Sequence, residues 1–145
     1  MPSSGGEAIR LTTNFGNVPV ESMDGKYLYY LESVDKPSPL WRIPVAGGEA
    51  VRVVDGVVLG NYDVIERGIY YIAMSRSEGS SHYMDHPSGE TRLEFYDFAT
   101  RRITTVARNL GLVDVGLTAT RDGRTILYSR LDASVEDLML VEKFR

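Results

Sequence analysis

Short runs of alternating or wholly apolar residues, each bounded by turn residues, recur along the whole chain. An Asp-Gly turn, a basic residue and an aromatic-aliphatic strand occur together at Asp24–Tyr30 and Asp122–Tyr128, and a shorter version occupies Arg67–Tyr71. Glycine after aspartate suits a tight turn because it adopts a positive φ without strain. No stretch longer than about ten residues keeps a helical period, so the sequence predicts an all-β protein with essentially no helix.

The same markers return at a spacing that indicates repetition of one structural unit. The turn glycines Gly25, Gly68 and Gly123 are 43 and 55 residues apart, and the strand pattern of Leu40–Val45 has two later echoes. The larger second spacing places an insertion between about Ser75 and Glu90. Three copies of a unit of roughly 43 residues therefore account for nearly all of the chain.

Each copy reads as four short antiparallel strands, which we label a to d. The predicted strands are Val18–Ser22, Tyr27–Glu32, Leu40–Val45 and Ala50–Val54 in copy one, Tyr62–Ile65, Gly68–Met74, Arg92–Phe98 and Ile103–Ala107 in copy two, and Val115–Ala119, Thr125–Arg130 and Asp137–Lys143 in copy three. Burial between copies is expected for Leu28, Tyr30, Trp41, Ile43, Ile69, Tyr71, Phe95, Ile126, Tyr128, Leu138 and Leu140.

Four antiparallel strands repeated every 40 to 45 residues are typical of a β-propeller, whose blades bury their faces against one another. Residues 1–145 then form a single half-propeller domain, with blades at about 14–55, 56–108 and 109–145. Copy three ends after strand c, whereas Ala8–Thr12 matches strand d, so we expect this N-terminal strand to complete a last blade.

Three blades are fewer than a closed propeller holds, because closed rings contain about 4 to 8 blades. The sequence therefore predicts a homodimer that forms a six-bladed ring, in which each N-terminal strand completes the last blade of the other copy. A nine-bladed trimer is an alternative. A second alternative is that the chain represents half of a longer propeller.

The repeat also resembles a known family. Asp24–Tyr30 and Asp122–Tyr128 look like the core of the TolB-type, WD-like (PD40-type) propeller repeat, and Leu40–Pro44 with the turn Gly47-Gly48 is similar to the strand and turn that follow that core. Copy two departs from the pattern, since Glu66-Arg67 stands where the family has Pro-Asp. The resemblance implies a propeller fold and leaves function open, because such repeats serve in periplasmic TolB, in regulators and sensors and in peptidase propeller domains.

Composition excludes several classes of partner and chemistry. The 16 basic residues are outnumbered by 20 acidic ones, for a net charge of −4, so nucleic acid and anionic membranes are not expected partners. The chain has no cysteine, which removes disulfides and thiolate chemistry. It has no membrane-length apolar run and no signal-like start, so we expect a cytoplasmic protein as written, or a periplasmic one if a signal sequence has been removed.

The insertion holds the only two histidines of the chain, in the order His82, Asp85, His86. Two imidazoles and a carboxylate are ligands that Zn²⁺ or Ni²⁺ takes, with one position left open. The competing interpretation is a solvated loop, because the segment is rich in Ser, Gly and Pro. No cofactor is therefore the main prediction, and a divalent metal at these three residues is the alternative.

In a propeller, the b-to-c loops and the d-to-a connections emerge on the same side. The long insertion should then overhang the channel mouth, where binding residues accumulate on loops of a rigid scaffold. Partner binding is therefore predicted for Asn17, Asn61, Tyr62, Tyr83 and Asp114. The asparagines have a second interpretation as ordinary turn residues.

The chain lacks the Gly-x-Ser-x-Gly elbow of serine hydrolases, and its only imidazole bases lie in the insertion, so we do not expect an enzyme. The favoured function is a non-enzymatic scaffold or protein-interaction module that self-assembles and presents loops to a protein or peptide partner. One alternative is a small-molecule- or metal-binding propeller, with or without enzymatic activity, that acts at the channel mouth. Another is a half-propeller fragment or engineered chain with no function beyond assembly.

Overall fold

The computed structural model describes residues 5–74 and 90–132, and within these ranges the chain is all-β, with no helix. Every hydrogen-bonded pair of strands is antiparallel, as the sequence predicts. The strands are β1 (Asn17–Glu21), β2 (Tyr27–Leu31), β3 (Ser38–Pro44), β4 (Val51–Ile65), β5 (Gly68–Met74), β6 (Thr91–Asp97), β7 (Ile103–Arg108), β8 (Leu112–Ala119) and β9 (Ile126–Leu131).

Strands β1 to β7 pair in chain order, and β8 pairs with β9. The long strand β4 serves two partners: its residues up to Val57 pair with β3, and those from Val57 onward pair with β5. We therefore divide the described fold into unit 1 (β1, β2, β3 and β4 up to Val57), unit 2 (β4 from Val57, β5, β6 and β7) and unit 3 (β8 and β9).

This arrangement corrects one sequence prediction, because strand d of copy one and strand a of copy two form a single strand rather than two. Gly56, Leu59 and Gly60 have positive φ, and they bend β4 from one unit into the next without a separate loop. The register of β4 against β5 shifts between Val57 and Tyr62 at this bend.

The same side-chain-bonded turn closes the β1–β2 and β8–β9 hairpins. The hydroxyl of Ser22 donates to Asp24 Oδ1 at 2.7 Å, and that of Thr120 donates to Asp122 Oδ1 at 2.5 Å. The glycine after each aspartate has a positive φ, 69° and 66° respectively. Because these hydrogen bonds favour the ionised carboxylate, they lower the pKa of Asp24 and of Asp122 below the ordinary value of 3.8.

Apolar clusters join the three units face to face, so that unit 2 is covered on both sides and β5 is buried along its whole length. The first cluster lies between units 1 and 2 and contains Tyr29, Leu31, Leu40, Val54, Val57, Tyr62, Val64, Ile69, Tyr71 and Ala73. The second cluster lies between units 2 and 3 and contains Val58, Ile72, Met74, Leu93, Leu110 and Val113. The third cluster, beside the second, contains Ile65, Tyr70 and Phe95.

Burial agrees with the predicted core in part. Five of the predicted core residues are buried: Tyr30, Ile43, Ile69, Tyr71 and Phe95. Four others are only half-buried. Leu28 and Trp41 lie on the face of unit 1 that has no neighbouring unit, whereas Ile126 and Tyr128 pack at the margin of the clusters between units 2 and 3. Leu138 and Leu140 lie outside the described residues.

The N-terminal segment forms no strand in the single chain, and its pairing with another copy stays a prediction. Ala8–Thr12 is not a strand within the single chain, since it pairs with none of the described strands, and its first residues are exposed. The predicted neighbour of this segment, Asp137–Lys143, lies outside the described residues. Further along, the ring of Phe15 packs against Tyr30 and Trp41, with ring centroids 6.0 Å apart in both pairs.

Candidate functional site

A groove of about 500 Å³ opens between units 1 and 2 at the end where β2 leads into β3 and where β5 leads into the insertion. The β2–β3 connection and the bend of β4 both contribute to it, so b-to-c and d-to-a connections do share one side of the fold. Its walls combine proline and aliphatic surface with three carboxylates and three cations. The charged lining residues are Glu32, Lys36, Arg52, Asp55, Arg92 and Glu94.

One side of the groove carries a hydrogen-bonded chain of polar side chains. The Tyr71 hydroxyl donates to Glu94 Oε2 at 2.7 Å, and Arg92 Nε donates to Glu94 Oε1 at 3.0 Å. Burial, reinforced by the neighbouring Glu94 charge, raises the pKa of Tyr71 far above its ordinary value of 10.0. The phenol therefore stays protonated and keeps Glu94 in place as a hydrogen-bond acceptor.

The opposite wall is fixed by two further polar contacts. Trp41 Nε1 donates to Glu32 Oε1 at 2.9 Å, and the guanidinium of Arg52 pairs with the Asp55 carboxylate. Paired carboxylates and guanidinium groups can still accept or donate to a polar ligand through their remaining lone pairs and N–H groups. The groove is therefore chemically suited to recognition of polar molecules.

Two of the predicted partner-binding residues are buried and link units. Asn61 Nδ2 donates to the carbonyl of Asp114 at 2.9 Å, and Asn61 Oδ1 accepts from the N–H of Gly116 at 2.8 Å. The hydroxyl of Tyr62 bonds to the carbonyls of Val18 and Tyr29 in unit 1. In the single chain these two side chains hold neighbouring units together, and their role in partner binding stays a prediction.

The other predicted partner-binding residues have different positions. Asn17 and Asp114 are exposed; Asn17 Nδ2 donates to the carbonyl of Glu32 at 2.9 Å, which ties β1 to the rim of the groove. Asp114 Oδ1 accepts from the N–H of Val115 at 2.7 Å. The remaining predicted residues, Tyr83, His82, Asp85 and His86, lie outside the described residues.

Within residues 5–74 and 90–132, no group of three or more His, Asp or Glu side chains could hold a metal ion. The metal prediction itself concerns His82, Asp85 and His86, which this statement does not cover. No helix in the same ranges is long and apolar enough to cross a membrane.

The polar chain of the groove is the feature that the sequence analysis missed. Glu90, Arg92 and Glu94 are charged residues at every second position, and in a strand such a spacing places all three side chains on one face. Arg92 Nη1 does lie 3.9 Å from Glu90 Oε2. Charged residues at every second position, at the start of the predicted strand Arg92–Phe98 and just before it, were therefore the available signal.

Comparison with known proteins gives no match: no family model, no curated protein and no solved structure matches the chain. The similarity to TolB-type repeats therefore stays a prediction from residues, and function has to be argued from geometry.

Proposed function

We propose that the chain is a non-enzymatic β-propeller scaffold in which units 1, 2 and 3 are successive blades and which self-assembles into a closed ring. Two features of the fold support this proposal. Strands within a unit follow chain order and are antiparallel, and whole units pack face to face, as blades do.

The main support for the proposal comes from the burial of equivalent positions in the three units. When the turn glycines are aligned, Tyr29, Ile72 and Leu127 occupy the same place in units 1, 2 and 3. Tyr29 is 2% exposed and Ile72 is 0% exposed, because the next unit covers each of them, whereas Leu127 is 64% exposed. A large apolar residue left open at a repeated packing position indicates that a further unit belongs there.

A second copy of the chain supplies that unit economically. Unit 3 exposes Leu127, and unit 1 leaves Leu28 and Trp41 only half-buried on the face that no other unit covers. Head-to-tail association of two copies covers both ends and gives six blades, within the range of closed propellers. The proposal includes strand exchange, in which residues 8–12 of each copy complete the last blade of the other.

The test is the mass of the particle in solution. Light scattering at micromolar concentration should give the mass of a homodimer. Its interfaces should bury more than roughly 2,000 Å² in total, as those of obligate assemblies do. Deletion of residues 1–13 should replace the dimer by aggregates or open oligomers. A folded monomer of the intact chain at that concentration would contradict the proposal, and a mass of three copies would favour the nine-bladed ring.

In this scaffold, the groove between units 1 and 2 and the loops beside it form the surface that is offered to a protein or peptide partner. A second function, binding of a small polar molecule or metal ion at the same end, is favoured by the groove's mixed charges. Calorimetric titration of Zn²⁺ into the intact protein and into the double variant His82→Ala, His86→Ala tests whether the histidines bind a metal ion. Stoichiometric binding that is lost in the double variant would support the second function. Equal heats for the two proteins would contradict metal binding at these histidines.

A further inference from the structure

We propose that Leu127 of one copy inserts into a groove on unit 1 of the second copy, between its N-terminal segment and its sheet. This inference rests on the proposed self-assembly and specifies which two surfaces meet. The groove has a volume of about 340 Å³, and Leu11, Thr13, Phe15, Tyr30 and Ile43 contribute to its lining.

Alternation along the second strand of each unit gives every unit two distinct faces. In β5, Ile72 belongs to the cluster shared with unit 3, whereas Tyr71 and Ala73 belong to the cluster shared with unit 1. We name the face toward the following unit the leading face and the one toward the preceding unit the trailing face. Tyr128 packs on the second cluster, so it lies on the trailing face of unit 3, and Leu127 lies on its leading face.

The two interior interfaces show which residues meet across such a pair of faces. At the first interface, leading Tyr29 and trailing Ala73 lie in one cluster. At the second interface, leading Ile72 lies in the cluster against which trailing Tyr128 packs. Shifted by one more unit, the same rule pairs leading Leu127 with the residue equivalent to Ala73 and Tyr128, which is Tyr30 of a following unit 1.

The trailing face of unit 1 is shaped to receive an aliphatic side chain. Phe15 crosses this face against Tyr30 and leaves the groove beside it. The groove wall is held by Arg10, whose guanidinium donates to the carbonyls of Thr12 and Thr13 at 2.9 and 2.8 Å. The rings of Phe15 and Tyr30 and the side chain of Ile43 offer contact surface to an aliphatic side chain, while Thr12, Thr13 and Asn14 make the rest of the lining polar.

The contact is heterologous, because the leading face of one copy meets the trailing face of the other. In a dimer the leading face of each copy meets the trailing face of the other. The two junctions close the ring and leave neither end exposed. This property separates the proposal from a symmetrical contact of Leu127 with itself.

The experiment uses charged substitutions on the two surfaces. Leu127→Asp and Leu11→Arg should each weaken dimerisation by about 100-fold, since each places an unpaired charge in a desolvated contact. Ile103→Asp is the matched control: Ile103 is exposed on β7 of unit 2 and lies on neither end face, so the dissociation constant should stay within about threefold. Sedimentation velocity gives the constants, and circular dichroism verifies that each variant is folded.

Mixing the two variants tests the head-to-tail geometry. In a mixed dimer one junction is native and the other joins the aspartate introduced by L127D with the arginine introduced by L11R. The mixture should therefore dimerise at a concentration at which each variant alone is mostly monomeric. Thr13→Arg replaces Leu11→Arg if the latter lowers stability, because Thr13 is an exposed residue of the same groove.

Three results would overturn the inference. If wild type and Leu127→Asp dimerise equally tightly, the ring forms through other surfaces, and the proposed function stands without this contact. If both single variants dissociate but their mixture does not associate, the contact is not head-to-tail. If wild type is a folded monomer, the inference and the proposed function fail together.

Discussion

The two interior interfaces are built differently. The interface between units 1 and 2 is an apolar layer of ten buried residues, and its polar contribution comes from the Tyr62 hydroxyl. The two clusters between units 2 and 3 hold six and three buried residues, so the two interfaces bury a similar number of apolar side chains. The difference lies in the polar contacts that accompany them.

Hydrogen bonds to β8 accompany the clusters between units 2 and 3. Asp63 Oδ2 accepts from Thr118 Oγ1 at 3.1 Å and from the N–H of Ala119 at 2.8 Å, and Asn61 bonds to the Asp114 carbonyl and the Gly116 N–H of the same strand. Directional bonds fix position more strictly than apolar contact does, so the second interface orients unit 3 while the first mainly stabilises unit 1 against unit 2. Substitutions at the two interfaces should therefore differ in how far they lower the free energy of unfolding and in the type of interaction that they remove.

The largest effect is expected from a cavity in the first interface. Leu40→Ala removes a fully buried side chain and should lower the free energy of unfolding by about 2–5 kcal/mol, measured by urea denaturation. Ile103→Ala is the matched control at an exposed aliphatic position of β7, and it should change stability by less than about 0.5 kcal/mol. Equal losses in the two variants would contradict the difference between interior and exposed positions.

The second interface should respond to loss of a polar group. Asn61→Ala removes a fully buried amide that bonds to the Asp114 carbonyl and to the Gly116 N–H, and it should cost about 1–3 kcal/mol. Exchange of the Gly116 amide with deuterium, followed by NMR, should accelerate more than exchange of amides in β2. Asn17→Ala serves as the control, because Asn17 is exposed and water replaces its single bond; a cost as large as that of Asn61→Ala would argue against the clamp.

A smaller change is expected from Tyr62→Phe, which keeps the ring in the first cluster and removes only the hydroxyl. The carbonyl of Tyr29 then loses a donor at 3.1 Å, so the free energy of unfolding should fall by about 0.5–1.5 kcal/mol. Thermal and urea denaturation give the value. A loss as large as that of Leu40→Ala would mean that the hydroxyl, and not apolar area, dominates the first interface.

The smallest effect is expected on the stability of the protein at acidic pH. Because the folded pKa of Asp24 and of Asp122 is lowered, their contribution to stability is fully present above the unfolded value near 3.8 and is lost as pH falls through the lower folded value. Asp24→Asn and Asp122→Asn should therefore each reduce the pH dependence of stability below about pH 4. Urea midpoints at pH 7 and pH 3 measure this, and an unchanged dependence would contradict the role of the two turns.

Strand positions could be predicted from the sequence because their causes are local. Strand β5 matches its predicted span, Gly68–Met74, since a turn glycine opens a continuous apolar run. The merging of two strands into β4 could not be foreseen, because it depends on Leu59, a residue type that gives no sign of its positive φ. The burial of Trp41 was overestimated because the sequence does not show which faces lack a neighbour.

The candidate site depended on contacts between distant residues. Asn61 carries the signature of a turn residue, and only its bonds to residues more than 50 positions away reveal a clamp. The groove likewise combines the two ends of separate units, so no local pattern marks its lining as one surface. Alignment of the repeats was the sequence evidence that related distant parts of the fold, because it identified equivalent positions whose burial could then be compared.

Pairing in chain order also determines how quickly the protein can form. Strands β1 to β7 need only hairpin closures between consecutive segments, and such short loops cost little entropy and close fast. During synthesis, unit 1 can be complete as soon as Val57 has left the ribosome, and unit 2 can then grow on its finished face. In the proposed self-assembly, closure with a second copy is a bimolecular step, so its rate should rise with protein concentration while the rates of the preceding steps should not.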